Sequence, residues 1–289
     1  MSQTLLVTGA SGQLGQRVVE LLLEAGHKQI IATTRNPEKL ARFSEQGVTV
    51  RAADFDNPAS LPAAFEGADR MLLISTDALD YPGHRLEQQI NAIKAAEAAN
   101  IKHVLYTSIQ NPVKESPVFV VADHGGTEEA LKNSSLGWTA LRVNLYAEYL
   151  LGALKSAIET GSIFSATGDG KAAFIAREDV ARAAAAALAS DTTENRAIDI
   201  TGQEAVSYYD VAVILTDILG KEVTYTPLTL EAAVQGMVGA GFPEPMAQAF
   251  ASFDEGIAKG WLAPISTTVK DLTGQAPMTM HEFLAANYQ

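Results

Sequence analysis

The stretch at residues 4–15, TLLVTGASGQLG, decides the fold. Its first four residues are mostly apolar and suit a short buried strand, glycines stand at positions 9, 12 and 15, and an amphipathic run follows at once. Glycine permits a tight turn and a close backbone approach, and a helix N-terminus offers free N–H groups and a positive dipole end. The spacing, G-x-x-G-x-x-G, differs from the usual G-x-G-x-x-G. We predict a dinucleotide phosphate site, with a tight turn that binds nothing as the alternative. The predicted contacts are Gly9, Ala10, Ser11, Gly12, Gln13 and Leu14.

The composition is that of a globular protein and narrows the choice of partners. The chain has 289 residues, 47% hydrophobic and 19% charged, with a formal net charge of −13. This charge argues against nucleic acid and against an anionic membrane as partners. The absence of cysteine excludes disulfides and thiolate catalysis and suits a reducing cytosol. No run of 18 apolar residues is present. The first strand begins about three residues after Met1, which leaves no room for a secretory signal. We therefore predict a cytoplasmic protein.

Strands and helices alternate through the first half of the chain. Short connections between such elements predict an α/β fold, a Rossmann-type doubly wound parallel sheet with helices on both faces. We expect the strand order 3-2-1-4-5-6 and a ligand at the carboxyl ends of the strands, where the order reverses. The six predicted strands cover 4–7, 28–34, 48–52, 70–75, 102–108 and 138–142.

The alternation becomes less regular after Tyr146. Helices are predicted over 146–159 and 208–219, with short strands near 196–201 and 222–226. We therefore expect a nucleotide-binding Rossmann domain over residues 1–150 and a smaller C-terminal α+β substrate-binding lobe over residues 151–289. Some segments of this lobe are expected to return to the sheet.

Arg35 indicates which dinucleotide is bound. It follows the second predicted strand, twenty residues after Gly15. An acidic residue at this place would bind the ribose 2′-hydroxyl of NAD, whereas a guanidinium suits a 2′-phosphate. A hydrogen bond to a charged group is worth about 1.5–3 kcal/mol, a preference of roughly ten- to 150-fold. We predict NADP(H) as the cofactor. A solvated arginine at a strand end is the alternative.

Two further pairs of residues follow predicted strands at the same edge. Asp54 and Phe55 come after the third strand, where adenine would lie, although Asp54 would serve equally well to cap the next turn. Ser75 and Thr76 end the fourth strand, beside the point where the strand order reverses. We expect these two to contact the pyrophosphate or the nicotinamide ribose.

Candidate catalytic residues lie further along the chain. His124 stands at the start of a helix, where a protonated imidazole is disfavoured. It would donate a hydrogen bond to a ribose or substrate oxygen, or be structural. Asn144 and Tyr146 follow the sixth strand and would contact the nicotinamide amide and the substrate, with packing near the second lobe as the alternative. No metal site is predicted, because the five histidines show no H-x-x-x-H spacing.

The chain resembles the NmrA-like branch of the atypical short-chain dehydrogenase/reductases. This resemblance implies that Gly9–Leu14 and Arg35 hold NADP and that residues 143–148, Val143 among them, flank the nicotinamide. The family places Asn directly after its Leu-Arg pair, whereas this chain has Val143 and then Asn144. The matching motifs are TGASGQLG at 8–15, Arg35-Asn36-Pro37, Ala53-Asp54-Phe55, Leu72-Leu73-Ile74-Ser75, Tyr106-Thr107-Ser108, Leu141-Arg142 with Tyr146, and Gly168-Asp169-Gly170-Lys171.

A second departure from the wider family concerns proton transfer. Short-chain dehydrogenases commonly carry Tyr-x-x-x-Lys in the helix after strand five, and this chain has Val120 and His124 at those positions. Without that pair the protein is poorly equipped to protonate an alkoxide, but it could pass hydride to an acceptor that is already electrophilic. We expect an NADPH-dependent reductase of quinones or other electron-poor aromatic molecules. A non-catalytic NADP(H)-sensing regulator is the alternative, and the sequence is compatible with a homodimer.

Overall fold

The computed structural model describes residues 3–288. Buried runs, mostly apolar, form the central strands of the main sheet, and glycines, prolines and polar clusters separate the strands along the chain. In chain order the strands are β1 Leu5–Val7, β2 Ile30–Thr34, β3 Thr49–Ala52, β4 Arg70–Leu73, β5 His103–Ile109, β6 Gly137–Val143, β7 Ser162–Ser165, β8 Lys171–Ala172, β9 Arg196–Ile200, β10 Val206–Ser207 and β11 Thr224–Pro227.

Helices connect most of these strands. Short 3-10 helices at Pro37–Leu40 and Pro58–Ser60 precede the second and third helices. The α-helices are α1 Gln13–Glu24, α2 Ala41–Ser44, α3 Leu61–Phe65, α4 His84–Ala98, α5 Val121–Lys132, α6 Glu148–Thr160, α7 Arg177–Ala189, α8 Tyr208–Leu219, α9 Leu230–Gly239, α10 Glu244–Ala258, α11 Thr268–Thr273 and α12 Met280–Tyr288.

The strand order confirms the Rossmann-type prediction. The main sheet has seven strands in the order β3-β2-β1-β4-β5-β6-β9, so the expected order 3-2-1-4-5-6 is correct and β9 adds a seventh strand beyond β6. The pairs β2–β3, β1–β2, β1–β4 and β4–β5 are parallel. Strands β1, β2, β4 and β5 are buried along their whole length, as expected when helices cover both faces of a sheet.

The chain forms two compact units that interleave along the sequence. The first unit comprises the described chain up to Ile109, Asp123–Arg142 and Val180–Ile198. The second comprises Gln110–Ala122, Val143–Asp179 and the described chain from Asp199 onward. The expected boundary near residue 150 lies within Val143–Asp179 of the second unit, and Val180–Ile198 belongs to the first unit again.

Arg70 is one reason why that segment returns. This β4 residue is buried, and its guanidinium donates to the carbonyl oxygens of Leu188 at 2.9 Å, Thr192 at 2.8 Å and Ala187 at 3.3 Å. These carbonyls belong to the C-terminal end of α7 and the residues after it, which carry the negative end of the helix dipole. A buried arginine therefore fixes the end of α7 within the first unit.

The second unit contains two small sheets. Strands β7 and β11 pair in parallel, and β8 and β10 pair antiparallel. Helix α8 begins with a capping box, in which Ser207 accepts from the backbone of Asp210 and the Asp210 carboxylate accepts from the backbone of Ser207. No helix within residues 3–288 is both long enough and apolar enough to cross a membrane.

Candidate functional site

The register of the main sheet brings several predicted site residues to one edge. Val7 on β1 is paired with Ala32 on β2 and with Leu72 on β4. On the far side of β2, Thr34 is paired with Ala52. The chain segments that leave these parallel strands therefore emerge side by side at their carboxyl ends. The glycine turn, Arg35, Asp54, Phe55, Ser75 and Thr76 all belong to these segments of the first unit.

The glycine turn has the geometry that a phosphate requires. Gly9 has a φ of 59°, in the left-handed region that favours glycine. A Cβ on Gly15 would lie 2.5 Å from the carbonyl oxygen of Gly9, so α1 packs against the turn only with glycine there. Gly12 caps α1 without a side-chain hydrogen bond, and the first turn of α1 has no acidic residue. The N-terminus of α1 is therefore available to an anion.

Hydroxyl groups hold this turn against its neighbouring strands. Ser11 Oγ lies 2.8 Å from Thr34 Oγ1 at the end of β2. Thr8 Oγ1 donates to the carbonyl oxygen of Leu72 at 3.1 Å and accepts from the Ile74 N–H at 3.0 Å. Because both strands contact the turn, its backbone conformation is fixed without a ligand. Of the other predicted contacts, Gly12 and Gln13 are exposed, whereas Ala10 and Leu14 are buried.

Arg35 directly follows β2 and is exposed. It forms no hydrogen bond or ion pair with any residue between 3 and 288. Its positive charge is one of the causes that hold the pKa of the Asp56 carboxyl below its usual value, after the larger effects of hydrogen bonds from Gln88 and His84. The guanidinium is thus free to pair with an anionic group at this edge.

Asp54 and Phe55 follow β3 and already have contacts of their own. Asp54 Oδ1 accepts from the backbone N–H of Asp56 at 3.1 Å, which is the turn-capping contact that the sequence left open as an alternative. Phe55 is half-buried and packs against the apolar core of the first unit. Its carbonyl oxygen accepts from Asn91 Nδ2 at 3.1 Å. The second oxygen of Asp54 forms no hydrogen bond within the described chain.

Two buried hydroxyl groups near this edge have no partner among residues 3–288. They are Thr33 Oγ1 on β2 and Thr76 Oγ1 after β4. Next to the latter, the Ser75 N–H donates to Thr107 Oγ1 at 2.8 Å. A buried hydroxyl without a hydrogen bond costs free energy, and such atoms commonly mark a place that a ligand or water completes. The orphaned hydroxyl of Thr76, together with the uncapped α1 terminus, fits a dinucleotide at this edge.

His124 lies in the first turn of α5 and is buried, with 5% of its surface exposed. Its Nδ1 is 2.7 Å from the Tyr106 hydroxyl, and its Nε2 is 3.4 Å from Arg85 Nη1. Because Arg85 can only donate, Nε2 accepts and Nδ1 carries the proton. The Tyr106 hydroxyl oxygen accepts a hydrogen bond from His124 Nδ1. The same hydroxyl donates to Gln89 Oε1 at 2.7 Å.

The electrostatics of this network leave His124 neutral. Burial, and then the charge of Arg85, lowers the pKa of His124 to about 3. Burial also raises the pKa of Tyr106 well above its usual value. Near pH 7 neither group changes its charge, and both ring nitrogens of His124 already have contacts. These contacts match the alternative interpretation, in which His124 is a structural residue.

Three predicted residues belong to the second unit. Val143 is buried, at 6% exposure. Asn144 Nδ2 donates to Gln110 Oε1 at 2.5 Å and to the Leu262 carbonyl at 2.8 Å, and its Oδ1 accepts from the Leu145 N–H at 2.7 Å. Both amide hydrogens of Asn144 are therefore used within the second unit, which leaves it no spare donor for a nicotinamide.

Tyr146, in contrast, has a free hydroxyl. No residue between 3 and 288 forms a hydrogen bond with it, and burial raises the pKa of its phenol above the usual value. The guanidinium of Arg177 lies 5.1 Å from the centre of its ring. Glu148 Oε1 is 3.7 Å from Arg177 Nη1, which fixes the arginine over the ring. The phenol is protonated and positioned, and it can donate to a small molecule.

Sequence reasoning missed several polar residues around this site. Glu128, Arg85 and Gln89 are examples, and each bonds a partner at least fourteen residues away. The one signal in the sequence is that Glu128 follows His124 by four residues, on the same face of α5. Within the described residues, no cluster of three or more His, Asp or Glu side chains is arranged to hold a metal ion.

Comparisons with known proteins agree with this geometry. A model of the NmrA-like family matches residues 1–284. Quinone oxidoreductase 2 of Escherichia coli (strain K12) is 36% identical over 277 residues, which cover 96% of this chain and 96% of that protein.

Solved structures extend the similarity to three dimensions. The NADPH-dependent quinone oxidoreductase QOR2 of Escherichia coli, in complex with NADPH, superposes with a TM-score of 0.93 at 35% identity, covering 99% of this chain and 100% of that one. Triphenylmethane reductase of Citrobacter sp., in complex with NADP(H), superposes with a TM-score of 0.91 at 32% identity and the same coverage. The chain therefore belongs to the NmrA-like family.

Proposed function

We propose that this chain is an NADPH-dependent oxidoreductase that reduces a quinone-like or other electron-poor aromatic acceptor. The observation that carries the proposal is the uncapped N-terminus of α1 behind a glycine turn, with the unpaired Arg35 at the same edge of the sheet. An anion-binding helix end and a free guanidinium match the pyrophosphate and the 2′-phosphate of NADPH. The similarity to an NADPH-bound quinone oxidoreductase and an NADP(H)-bound triphenylmethane reductase supports both cofactor and acceptor class.

Each group of residues has a separate role in this proposal. The backbone of Gly9–Leu14 binds the pyrophosphate, and Arg35 binds the 2′-phosphate. Asp54 and Phe55 border the adenine, and Ser75 and Thr76 bind a ribose or the pyrophosphate. When bound, NADPH supplies a hydride. In the second unit Val143 borders the nicotinamide, Asn144 fixes the backbone there, and Tyr146 positions the acceptor through its free hydroxyl.

The acceptor class follows from what the chain lacks. At the positions of the Tyr-Lys acid pair it carries Val120 and His124, and His124 is neutral because burial lowers its pKa to about 3. Neither of these two side chains is therefore an acid near pH 7. An acceptor that is electron-poor before hydride arrives needs no such acid, and water supplies the proton to the reduced product.

The proposal includes a cytoplasmic location and no nucleic-acid partner. The net charge of −13 and the lack of cysteine support these points. We also propose a homodimer, with a monomer as the alternative. Size-exclusion chromatography with light scattering distinguishes the two states.

The test follows the absorbance of NADPH with purified protein across a panel of quinones and cationic triphenylmethane dyes. We expect steady oxidation of NADPH that depends on the acceptor and is much slower with NADH. The alternative, an NADP(H)-sensing regulator, predicts tight NADPH binding with no acceptor-dependent oxidation anywhere in the panel.

A further inference from the structure

His84 bridges two carboxylates in the first unit. It is the first residue of α4, and only 12% of its side chain is exposed. Its Nε2 lies 2.8 Å from Asp56 Oδ1 and its Nδ1 lies 3.0 Å from Asp80 Oδ2. Gln88, one turn later, donates to both oxygens of Asp56 at 2.9 Å. We call the three residues Asp56, His84 and Asp80 the His84 clasp.

The clasp joins two segments that carry proposed cofactor contacts. Asp80 lies in the connection between β4 and α4, residues 74–83, which we call loop 74–83. This loop begins beside β4 and contains Ser75 and the orphaned hydroxyl of Thr76. Asp56 lies in the turn after β3, directly after Asp54 and Phe55. The clasp therefore connects the ribose or pyrophosphate side of the proposed site to its adenine side.

The C-terminal half of loop 74–83 has few other side-chain contacts. Leu79 is 53% exposed and Tyr81 is 49% exposed. The Tyr81 ring stacks on the His84 ring, with centroids 4.3 Å apart and planes at 11°. Its hydroxyl donates to Glu87 Oε2 at 3.0 Å. Most of the side-chain contacts that hold the C-terminal half of this loop thus run through His84 or through the ring stacked upon it.

We propose that the His84 clasp holds loop 74–83 in its cofactor-binding conformation, so that the protein binds dinucleotides more tightly when the clasp is closed. This inference rests on the proposed function, since it concerns the same cofactor. His84 is a positioning residue in it and touches neither the cofactor nor the acceptor.

Hydrogen-bond chemistry makes the clasp sensitive to pH. A neutral imidazole has one donor and one acceptor nitrogen, whereas an imidazolium donates from both. Only the imidazolium can therefore donate to Asp56 and Asp80 at once. The groups that face His84 are these two carboxylates, the ring of Tyr81 and the amide of Gln88, with Glu87 behind Tyr81. The hydrogen bond with Asp56 is the largest of the causes that raise the pKa of His84 above 6.5.

The expected sign follows from this protonation. As the pH rises through the raised pKa of His84, the clasp opens and the dinucleotide affinity falls. For NADPH an opposite effect overlaps with it, because a phosphate monoester gains its second negative charge near pH 6 and then pairs better with Arg35. NADH has no 2′-phosphate, so its affinity reports the clasp alone.

The experiment measures the dissociation constants of NADPH and NADH by titration calorimetry at pH 6.5 and 8.5. The variants are His84→Gln and Asp80→Asn, and the matched control is His281→Gln, which removes an exposed histidine paired with Asp217 on the second unit. At pH 6.5 we expect NADH to bind about three- to tenfold more weakly to both clasp variants, the range of one or two exposed ion pairs. The difference should shrink as the pH rises through the raised pKa of His84, because the clasp then opens in the unmodified protein as well.

Hydrogen–deuterium exchange without cofactor gives a second measure. Amides of loop 74–83 should exchange faster in His84→Gln than in the unmodified protein at pH 6.5, with the other loops of the first unit unchanged. Asp80→Asn keeps the proposal falsifiable if His84→Gln does not fold, because Asp80 is 77% exposed.

Two results would overturn the inference. One is NADH affinity in His84→Gln and Asp80→Asn equal to that of the unmodified protein at pH 6.5, while NADPH binds normally, which leaves the proposed function intact. The other is an unchanged pH dependence of NADH binding in His84→Gln. If neither dinucleotide binds at any pH, the proposed function fails together with the inference.

Discussion

Glu128 and Arg142 form a bidentate ion pair whose carboxylate is almost fully buried. Arg142 Nε donates to Glu128 Oε1 at 2.9 Å and Nη2 donates to Oε2 at 2.7 Å. The Glu128 side chain is 2% exposed and that of Arg142 is 29% exposed. Ser108 Oγ also donates to Oε1, at 2.7 Å. One buried carboxylate thus ties α5 to both β5 and β6 of the main sheet.

The first prediction concerns this pair. Arg142→Met leaves the buried Glu128 carboxylate without its counter-charge and should lower the free energy of unfolding by about 3 kcal/mol, near the low end for buried pairs because Arg142 is partly exposed. Adding Glu128→Gln removes the charge and keeps an acceptor for Ser108. Urea denaturation at pH 7 should show that the double variant recovers at least half of the loss. A double variant as unstable as Arg142→Met would show that the buried charge is not the cause.

The second prediction concerns the choice of cofactor. NADPH should bind at least about tenfold more tightly than NADH, because Arg35 pairs with the 2′-phosphate and no acidic residue at that place holds a 2′-hydroxyl. Arg35→Ala should weaken NADPH by about that factor and leave NADH nearly unchanged in fluorescence titrations. Lys28→Ala is the control, since Lys28 is exposed and precedes β2 at the opposite edge. Equal affinities for the two dinucleotides in the unmodified protein would show that Arg35 does not select NADPH.

The third prediction concerns acid stability and His103 on β5. This residue is 2% exposed, its Nε2 lies 2.8 Å from Thr139 Oγ1, and burial is the main cause that lowers its pKa to about 4. Between pH 6.5 and about 4 the unfolded chain binds a proton at this residue that the folded chain does not. The free energy of unfolding should therefore fall as the pH falls through this window, by up to about 1.4 kcal/mol per pH unit from this group.

His103→Gln should remove that part of the slope, and His281→Gln, on the exposed side of α12, serves as its control. Urea unfolding at a series of pH values measures both. His124, with its pKa lowered to about 3, adds a slope of the same sign that remains in His103→Gln. A slope that His103→Gln leaves unchanged would mean that folding does not lower the pKa of His103.

The fourth prediction concerns the source of the proton. If the acceptor needs no enzymic acid, His124→Ala should lower quinone turnover only modestly, by about five- to 150-fold through lost hydrogen bonds to Tyr106 and Arg85. It should remove no ionisation between pH 6 and 7, because the ring is already neutral there. Rate–pH profiles of the two proteins test this. A loss above about 10³-fold, with disappearance of a pKa near 6.5, would make His124 the acid.

Sequence patterns predicted the fold well because the deciding signals are local. Buried apolar runs that alternate with amphipathic segments led to the correct strand order, and the helix expected over 208–219 is α8 itself. The helix expected from residue 146 begins instead at Glu148. The reason is not local, since Tyr146 forms a β-bridge with Ile175, far along the chain. A return of some later segment to the sheet was expected, but the sequence could not show that Val180–Ile198 is that segment, because its place in the first unit depends on Arg70.

The sequence predicts those site residues that directly follow a strand. Parallel strands bring their carboxyl ends to one edge, so the sequence alone groups the glycine turn, Arg35 and Thr76. The partners of His84 could not, because Asp56 precedes it by 28 residues and only folding brings the two together. For the same reason the sequence could not show that the amide of Asn144 is used by Gln110 and Leu262.

The central claim is that acceptor reduction depends on NADPH bound at the glycine turn. The most direct test is the acceptor-dependent rate of NADPH oxidation in the unmodified protein, in Gly12→Val and in the control Gly152→Val. A Cβ on Gly12 would lie 3.3 Å from the Gly9 carbonyl oxygen and would occupy the space that a pyrophosphate needs, whereas one on Gly152 in α6 meets nothing within 4 Å. We predict steady turnover with a quinone or cationic dye in the unmodified protein and in Gly152→Val, and none in Gly12→Val. Normal turnover in a folded Gly12→Val would contradict the account, as would tight NADPH binding without oxidation by any acceptor.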